Sequence, residues 1–331
     1  MNLPSTSEAL RFHEFGTPTE VLKLESIELP QLKPDQVRLK ILAAPINPAD
    51  YFSIKGQYGI RKQLPAIAGM EGLGEVVARG SDVANLQIGD RCFIPSDPGA
   101  WQSYTTAKAS DLFRAPDNME IKVAAMCWIN PATAWLMLKE FEKLQPGDWI
   151  VQNAATSAVG KLVIQFASHL GYKTVNLARS LEQKSQLEKL GADFVLKDDE
   201  QAAKAILEAM GGRKAKLALN AVGGQSAISL AQSLAKGCNL ITYGAMDGRP
   251  APFPARLLIF NDIRFRGFWV SRWYENSNRE RIDVMMTELF QFMSNTQTRI
   301  DIAATYPLNQ YKEALLHSIK PGKEGKVLFV P

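Results

Sequence analysis

Apolar positions along this chain follow two periods, and the change between them falls near residue 120. Before it the period is two. "QVRLKILAAPINPAD" (36–50) alternates polar and apolar ahead of a proline-containing turn, and "GLGEVVARGSDVANLQIGDRCFI" (72–94) predicts strand, turn, strand. Beyond 120, short apolar runs alternate with helical patterns. Strand "DWIVQNA" (148–154) leads to a helix over 159–170 with Gly171 as its C-cap, then to strand "KTVNLA" (173–178) and helix "LEQKSQLEKL" (181–190). After Gly191 come strand "DFVL" (193–196), helix "EQAAKAILEAM" (200–210), strand "KLALNAV" (216–222), a helix over 225–236 and strand "NLITYG" (239–244). "DIRFRGFWV" (262–270) adds an edge strand. An amphipathic helix and the closing strand "GKVLFVP" (325–331) follow and return to the first lobe.

Strands alternating with helices make parallel βαβ units, so the second region folds as a doubly wound α/β sheet. A chain of 331 residues exceeds one ordinary core. The pattern divides it into a β-rich domain of residues 1–120 with 270–331 and a dinucleotide-type domain of 121–269.

In an open parallel sheet, ligands bind beyond the carboxyl ends of the strands. The turn after Val151-Gln152-Asn153 is therefore the place for a pyrophosphate, received by backbone N–H groups at the helix N-terminus. Close approach needs small residues, and Ala154, Ala155, Thr156, Ser157, Ala158 and Gly160 are small, although the G-x-G-x-x-G glycines are thinned. Arg179 closes the second strand, about 20 residues beyond the turn, where such folds read the ribose. With no Asp or Glu from Thr174 to Ser180, an arginine there points to the 2′-phosphate of NADPH; the plainer alternative is a solvated loop charge.

Composition narrows the partners. A net charge of +4 gives no reason to expect nucleic acid, and no apolar run reaches bilayer-spanning length. Cys92, Cys127 and Cys238 form no CxxC pair, which reads as a reduced protein without a disulfide framework. "MNLPSTSEALRFHEFG" resembles neither a signal nor a transit peptide, so the expected location is the cytoplasm.

The ordered motifs "INPAD", "GMEGLGEVV", "NPATAW", "LQPGDWIVQNA", "SAVG", "YGAM" and "FRGFW" resemble the medium-chain dehydrogenase/reductases. They are most similar to the zinc-free 2-enoyl thioester reductases of mitochondrial type, with quinone oxidoreductases as near relatives. The resemblance implies a GroES-like catalytic domain, a Rossmann domain and NADPH in the cleft between them. It makes Tyr58 of "GQYGIRKQLP" the candidate catalytic tyrosine, and maps cofactor contacts onto Asn130, the turn Thr156, Ser157, Ala158, Val159 and Gly160, and Arg179. Further contacts map onto Tyr243, Gly244, Ala245, Met246, Phe268, Trp269, Val270 and Lys326. Ala158 stands where relatives often carry glycine. A homodimer through the edge strands of the Rossmann sheets is also implied.

Several of these residues have plainer readings. Asn47 and Asn130 both precede proline and suit turns, though Asn47 can also face a nicotinamide. Tyr58 can be a packed turn aromatic, with Tyr51 and Tyr104 as rival donors, and Trp269 a core aromatic as well as a cleft wall. Arg264, Arg266, Arg272, Arg279 and Arg281, with Arg61 and Lys62 near Tyr58, suit either a solvated face or the docking of a CoA ester or an acidic acyl-carrier protein.

Metal chemistry is not expected. The superfamily's zinc enzymes carry a ligating His in a GHE motif where this chain has "GME", and His13, His169 and His317 are too scattered for a three-ligand site. An α,β-unsaturated thioester needs no metal: hydride adds at the β-carbon, and a tyrosine protonates the α-carbon or hydrogen-bonds the developing charge. Reduction of trans-2-enoyl thioesters is thus the leading expectation. Quinone or small-enone reduction is the alternative, and non-catalytic NADPH binding a second.

Overall fold

The computed structural model describes residues 4–94, 97–248 and 254–331. Two compact units result, one from residues up to 129 with 299–331, the other from 130–298.

The first unit opens with β1 (Thr6–Phe12) and β2 (Leu22–Glu28), then β3 (Gln36–Pro45), β4 (Ala66–Ile67) and β5 (Gly72–Arg79). It continues with β6 (Arg91–Ile94), β7 (Tyr104–Lys108) and β8 (Phe113–Arg114). Alternation is visible in β1, where buried Ser7 and Ala9 interleave with exposed Thr6 and Glu8 before the phase shifts to Leu10 and Phe12, both fully buried.

The second unit holds β9 (Trp149–Gln152), β10 (Lys173–Ala178), β11 (Phe194–Lys197), β12 (Ala215–Asn220), β13 (Leu234–Thr242) and β14 (Arg264–Gly267). These six strands are all parallel in the order β11-β10-β9-β12-β13-β14. That is the doubly wound order, with its switch between β9 and β12. The strand at the centre, β9, is buried at every position, as a strand covered on both faces must be.

After 298 the chain returns to the first unit as β15 (Ile302–Tyr306) and β16 (Lys326–Phe329). They extend a seven-stranded sheet, β15-β16-β3-β5-β6-β8 with β7 also on β3, beside the three-stranded β2-β1-β4. Antiparallel pairing sets Phe329 against Ala44 and Leu328 against Pro45, and the Ile46 N–H donates to Val327 O at 2.9 Å. The closing strand is thereby registered beside "INPAD". Trp101 and Phe329 meet edge-on at 5.0 Å in the core of this unit.

The unit boundaries fall at 129/130 and 298/299, later than the 120 and 270 that the pattern suggested. Helix Arg279–Asn295 explains the second shift. Its buried face includes Met285, Leu289 and Met293, and its Phe292 ring lies 4.9 Å from Trp135 and 5.4 Å from Phe166. It belongs to the second unit's core. Three helices are also shorter than their patterns: 181–190 contracts to Lys184–Lys189, 200–210 to Ala202–Ala209, and 225–236 ends at Ser233. There Leu234 turns extended to bury itself in the sheet, and tertiary packing overrides the helix propensity of "LAK".

Candidate active site

The turn between β9 and helix Ala158–His169 is shaped by close backbone approach. Ala154 adopts a left-handed φ of 50°, and the Ala155 N–H donates to Leu177 O on β10. A side chain at Gly160 would place its Cβ 2.6 Å from Ala154 O and 2.8 Å from Ala155 O. Glycine is required there, and of the usual glycine fingerprint this is the position the geometry enforces. Ser157 is the N-cap, its Oγ accepting the Gly160 N–H at 3.1 Å. The N–H groups of Ala158 and Val159 are left at the free end of the helix, with no described carbonyl to bond them. Such a tip receives an anionic group, aided by the dipole of a 12-residue helix.

The other segments expected to hold a cofactor in this unit sit on the same carboxyl edge of the sheet. Arg179 directly follows β10, is exposed, and forms no ion pair or hydrogen bond among the described residues. Tyr243 to Met246 follow β13. Tyr243 N–H donates to Asn220 O, Met246 N–H to Ala221 O, and a Cβ on Gly244 would meet Ala221 O at 2.9 Å. The Tyr243 hydroxyl lies by the Ser157 side chain, and burial pushes its pKa up. Phe268, Trp269 and Val270 follow β14, with Phe268 edge-on to Phe141 at 5.5 Å and Val270 opening a short helix. Asn130 is the first residue of helix Asn130–Lys139, so it starts a helix rather than making a turn.

Beneath this edge runs a buried amide network that the sequence reading missed. Asn153 Nδ2 donates to Asn220 Oδ1 at 2.8 Å and to Ser226 Oγ at 2.9 Å, while its Oδ1 accepts the Ala221 N–H at 2.7 Å. Ser226 in turn donates to Asp198, whose pKa burial raises. Gln152 and Asn176 pair at 2.7 Å. The network fixes the strand ends against one another. Its only sequence signal is that strands β9, β10 and β12 carry amides where apolar residues would otherwise stand.

In the first unit, one seven-residue helix, Pro48–Ile54, places both Asn47 and Tyr58. Its start is capped reciprocally: the Asp50 carboxylate accepts the Asn47 N–H at 2.7 Å and also the Met70 N–H at 2.9 Å. Its end is a Schellman motif. Gln57 N–H donates to Phe52 O at 2.8 Å, Gly56 N–H to Ser53 O at 3.0 Å, and Gly56 takes φ +70°. Tyr58 leaves from this cap, half-buried.

Tyr51, a rival donor, spends its hydroxyl on Leu315 O at 2.6 Å and pairs with Ser318 Oγ at 2.8 Å. Burial raises its pKa to about 12, so it anchors the helix instead.

Around Asn47 the chain buries four polar groups together. Asn47 Nδ2 donates to Glu71 Oε1 at 2.7 Å, and Asn47 Oδ1 accepts from the Lys326 ammonium, which also reaches Ile46 O at 3.3 Å. The other carboxylate oxygen, Glu71 Oε2, accepts the Ile129 N–H at 2.9 Å. Burial raises the pKa of Glu71 and lowers that of Lys326, each opposed by the other's charge. Asp50 is pushed up to about 6 by burial, against its two N–H donors and the charges of Lys326 and Lys62. Asn47 and Lys326 were expected from sequence, but Asp50 and Glu71 were not. The capping-box spacing of "NPAD" was the available signal for Asp50.

The arginine cluster and the zinc motif can each be set against their expectation. Four of the five clustered arginines are engaged by neighbouring carboxylates: Arg264 by Asp262, Arg272 by Glu275, Arg279 by Asp283 and Arg281 by Glu140. They form a self-paired face, which weakens the ligand-docking reading. At the zinc motif, Met70 is buried with its N–H on Asp50, and no three His, Cys, Asp or Glu side chains converge as a metal site among the described residues. The residues do not fit zinc.

Comparison with known proteins follows the two units. The alcohol dehydrogenase GroES-like domain model matches residues 33–117, and the zinc-binding dehydrogenase model matches 158–288. The mitochondrial enoyl-[acyl-carrier-protein] reductase of Homo sapiens is 37% identical over 335 residues, covering 98% of this chain and 89% of that protein. That of Rattus norvegicus is 38% identical over 327 residues, covering 96% and 87%. The chain belongs to the medium-chain dehydrogenase/reductases, among the mitochondrial-type 2-enoyl thioester reductases.

Within these reductases and their kin, the structure of the Etr1p/NADP/crotonyl-CoA complex has a TM-score of 0.88 at 28% identity, covering 98% of this chain and 100% of that one. A putative NADPH:quinone reductase from Bacillus thuringiensis has a TM-score of 0.92 at 29% identity, covering 98% and 99%. The reductase fold therefore spans 98% of the chain.

Proposed function

We propose that this protein is an NADPH-dependent reductase of trans-2-enoyl thioesters carried on CoA or an acyl-carrier protein. The observation that carries the reading is the carboxyl edge of the parallel sheet, where the Gly160 cradle, Arg179, Tyr243–Met246 and Phe268–Val270 stand on adjacent strand ends. The enoyl-reductase relatives supply the substrate class.

When bound, NADPH supplies the hydride that adds to the β-carbon. The chain's own part is binding and proton transfer. The amides of Ala158 and Val159 and the Ser157 cap hold the pyrophosphate, Arg179 neutralises the 2′-phosphate, and Lys326 donates to the nucleotide. Tyr58 donates a proton to the α-carbon as negative charge leaves the enolate oxygen. Quinone reduction is the second reading, favoured by the likeness to the Bacillus thuringiensis protein. Three buried cysteines, none in a disulfide among the described residues, support a reducing compartment such as the cytoplasm. The outward edge of β14, with Ile259 and Phe260 exposed at 72% and 64% on the preceding helix, supports a homodimer.

The test follows NADPH oxidation by absorbance with trans-2-enoyl-CoA esters and, separately, a quinone. Thioester reduction is expected, slowed about a hundred- to ten-thousandfold in Tyr58→Phe with NADPH affinity retained. Quinone turnover with inert thioesters would select the second reading. Arg179→Ala is expected to weaken NADPH binding about tenfold or more and leave NADH binding unchanged.

A further inference from the structure

Glu71 gathers three segments that the sequence offers as cofactor contacts, of which the proposed function assigns Lys326 to the nucleotide. It accepts from the Asn47 side chain and from the N–H of Ile129, the residue before Asn130, and through Asn47 it reaches Lys326. Glu71 and Lys326 form no direct ion pair; the Asn47 amide lies between them, Nδ2 toward the carboxylate and Oδ1 toward the ammonium. That orientation is dictated by charge, because a carboxylate only accepts and an ammonium only donates. Two of the three ammonium N–H groups go to Ile46 O and Asn47 Oδ1, and no described residue accepts the third.

We propose that Glu71 is a positioning residue for the reaction: through the Asn47 amide it holds the Lys326 ammonium with one N–H reserved for the bound nucleotide. The proposal rests on the NADPH reading given above. A carboxylate is needed for this, where a carboxamide of the same shape would fail. A glutamine at 71 would turn an N–H toward either Asn47 or Ile129, and Asn47 would relieve the clash by flipping its own Nδ2 onto Lys326. The ammonium would then lose an acceptor and its fixed direction. Burial supports the same view, since two opposite charges buried on either side of one amide cost stability that a hydrophobic staple between β16 and "INPAD" would not.

The charged and titratable groups acting on the pair are Asp50, Lys323 and Cys127, with Lys62 acting on Asp50. As pH falls through the raised Glu71 range the carboxylate gains a proton, loses acceptor strength and releases the amide. Nucleotide affinity should therefore fall on the acid side.

The experiment is a titration of NADPH into the full chain by fluorescence from pH 5.5 to 9, with thermal melting of each variant. Glu71→Gln is expected to weaken binding about ten- to a hundredfold at pH 7.5 and to lose the acid limb attributable to Glu71. Glu71→Asp keeps the charge and should retain that limb. In the Lys326→Met background, Glu71→Gln should have no further effect on affinity. Equal losses in Glu71→Gln and Glu71→Asp, or additive losses with Lys326→Met, would overturn the proposal. If Glu71→Gln does not fold, an acid limb persisting unchanged in Lys326→Met overturns it. Wild type that binds NADPH with no acid limb sinks the Glu71 proposal alone, whereas wild type that does not bind NADPH sinks the underlying function.

Discussion

Asp50 shows how one capping residue couples folding to pH. Its carboxylate has a pKa pushed up to about 6 from an ordinary value near 4, because desolvation outweighs the two N–H donors. The folded chain therefore holds this proton more tightly than the unfolded chain. This group's contribution to stability is fully present below about pH 4 and is lost as pH rises through 6, by about 3 kcal/mol. Melting temperature measured from pH 4 to 7 should slope downward in the wild type, and the slope should be shallower in Asp50→Asn. An unchanged slope would assign the effect to another group.

Gly160 makes a second prediction at this scale. Gly160→Ala sets a methyl against Ala154 O at 2.6 Å and should cost about 1–3 kcal/mol of stability and most of the NADPH affinity. Calorimetry with and without nucleotide would check both. Gly160 and Arg179 were legible in sequence because a turn of small residues and a strand-end charge are local patterns. Glu71 was not, since its partner Asn47 is 24 residues away and the ammonium beyond it 279 residues from that asparagine, so only strand pairing brings them together.

Elements set the reach of those residues. Helix Pro48–Ile54 carries Asn47 at one end and launches Tyr58 from the other, a span of about 10 Å at 1.5 Å per residue. The Schellman cap governs the launch angle. Gly56→Ala must take φ near +70° and press its Cβ to 2.8 Å from the Phe15 ring. About 1–2 kcal/mol of stability should go, and thioester turnover should drop while NADPH binding holds. A variant with normal turnover would detach Tyr58 from the chemistry. Sequence periodicity located every strand of the second unit but overran three helices, because an end such as Ser233 is fixed by Leu234 entering the core rather than by a capping residue.

For the molecule as a whole, periodicity predicted the doubly wound sheet and the return of the last strand to the first unit. It misplaced helix Arg279–Asn295, whose amphipathic stripe records that one face is buried but not against which partner. The apolar residues left outside are the basis of a prediction at this scale. Ile259 and Phe260 are exposed on the helix before β14, the terminal strand of its sheet among the described residues, so sedimentation should report a dimer that Phe260→Asp weakens at equal protein concentration.

The carboxyl edge of the second sheet is laced mainly through main-chain atoms: Ala155 to Leu177, Tyr243 to Asn220, Met246 to Ala221, Asp247 to Val222. A recognition surface written in peptide groups is nearly blind to which side chains decorate it. Side chains there can then change with little effect on the shape, except where a Cβ has no room, at 160 and 244, or where the backbone is left-handed, at 223 and 224. Such a surface is specified less by a glycine consensus than by the few positions that cannot carry a side chain.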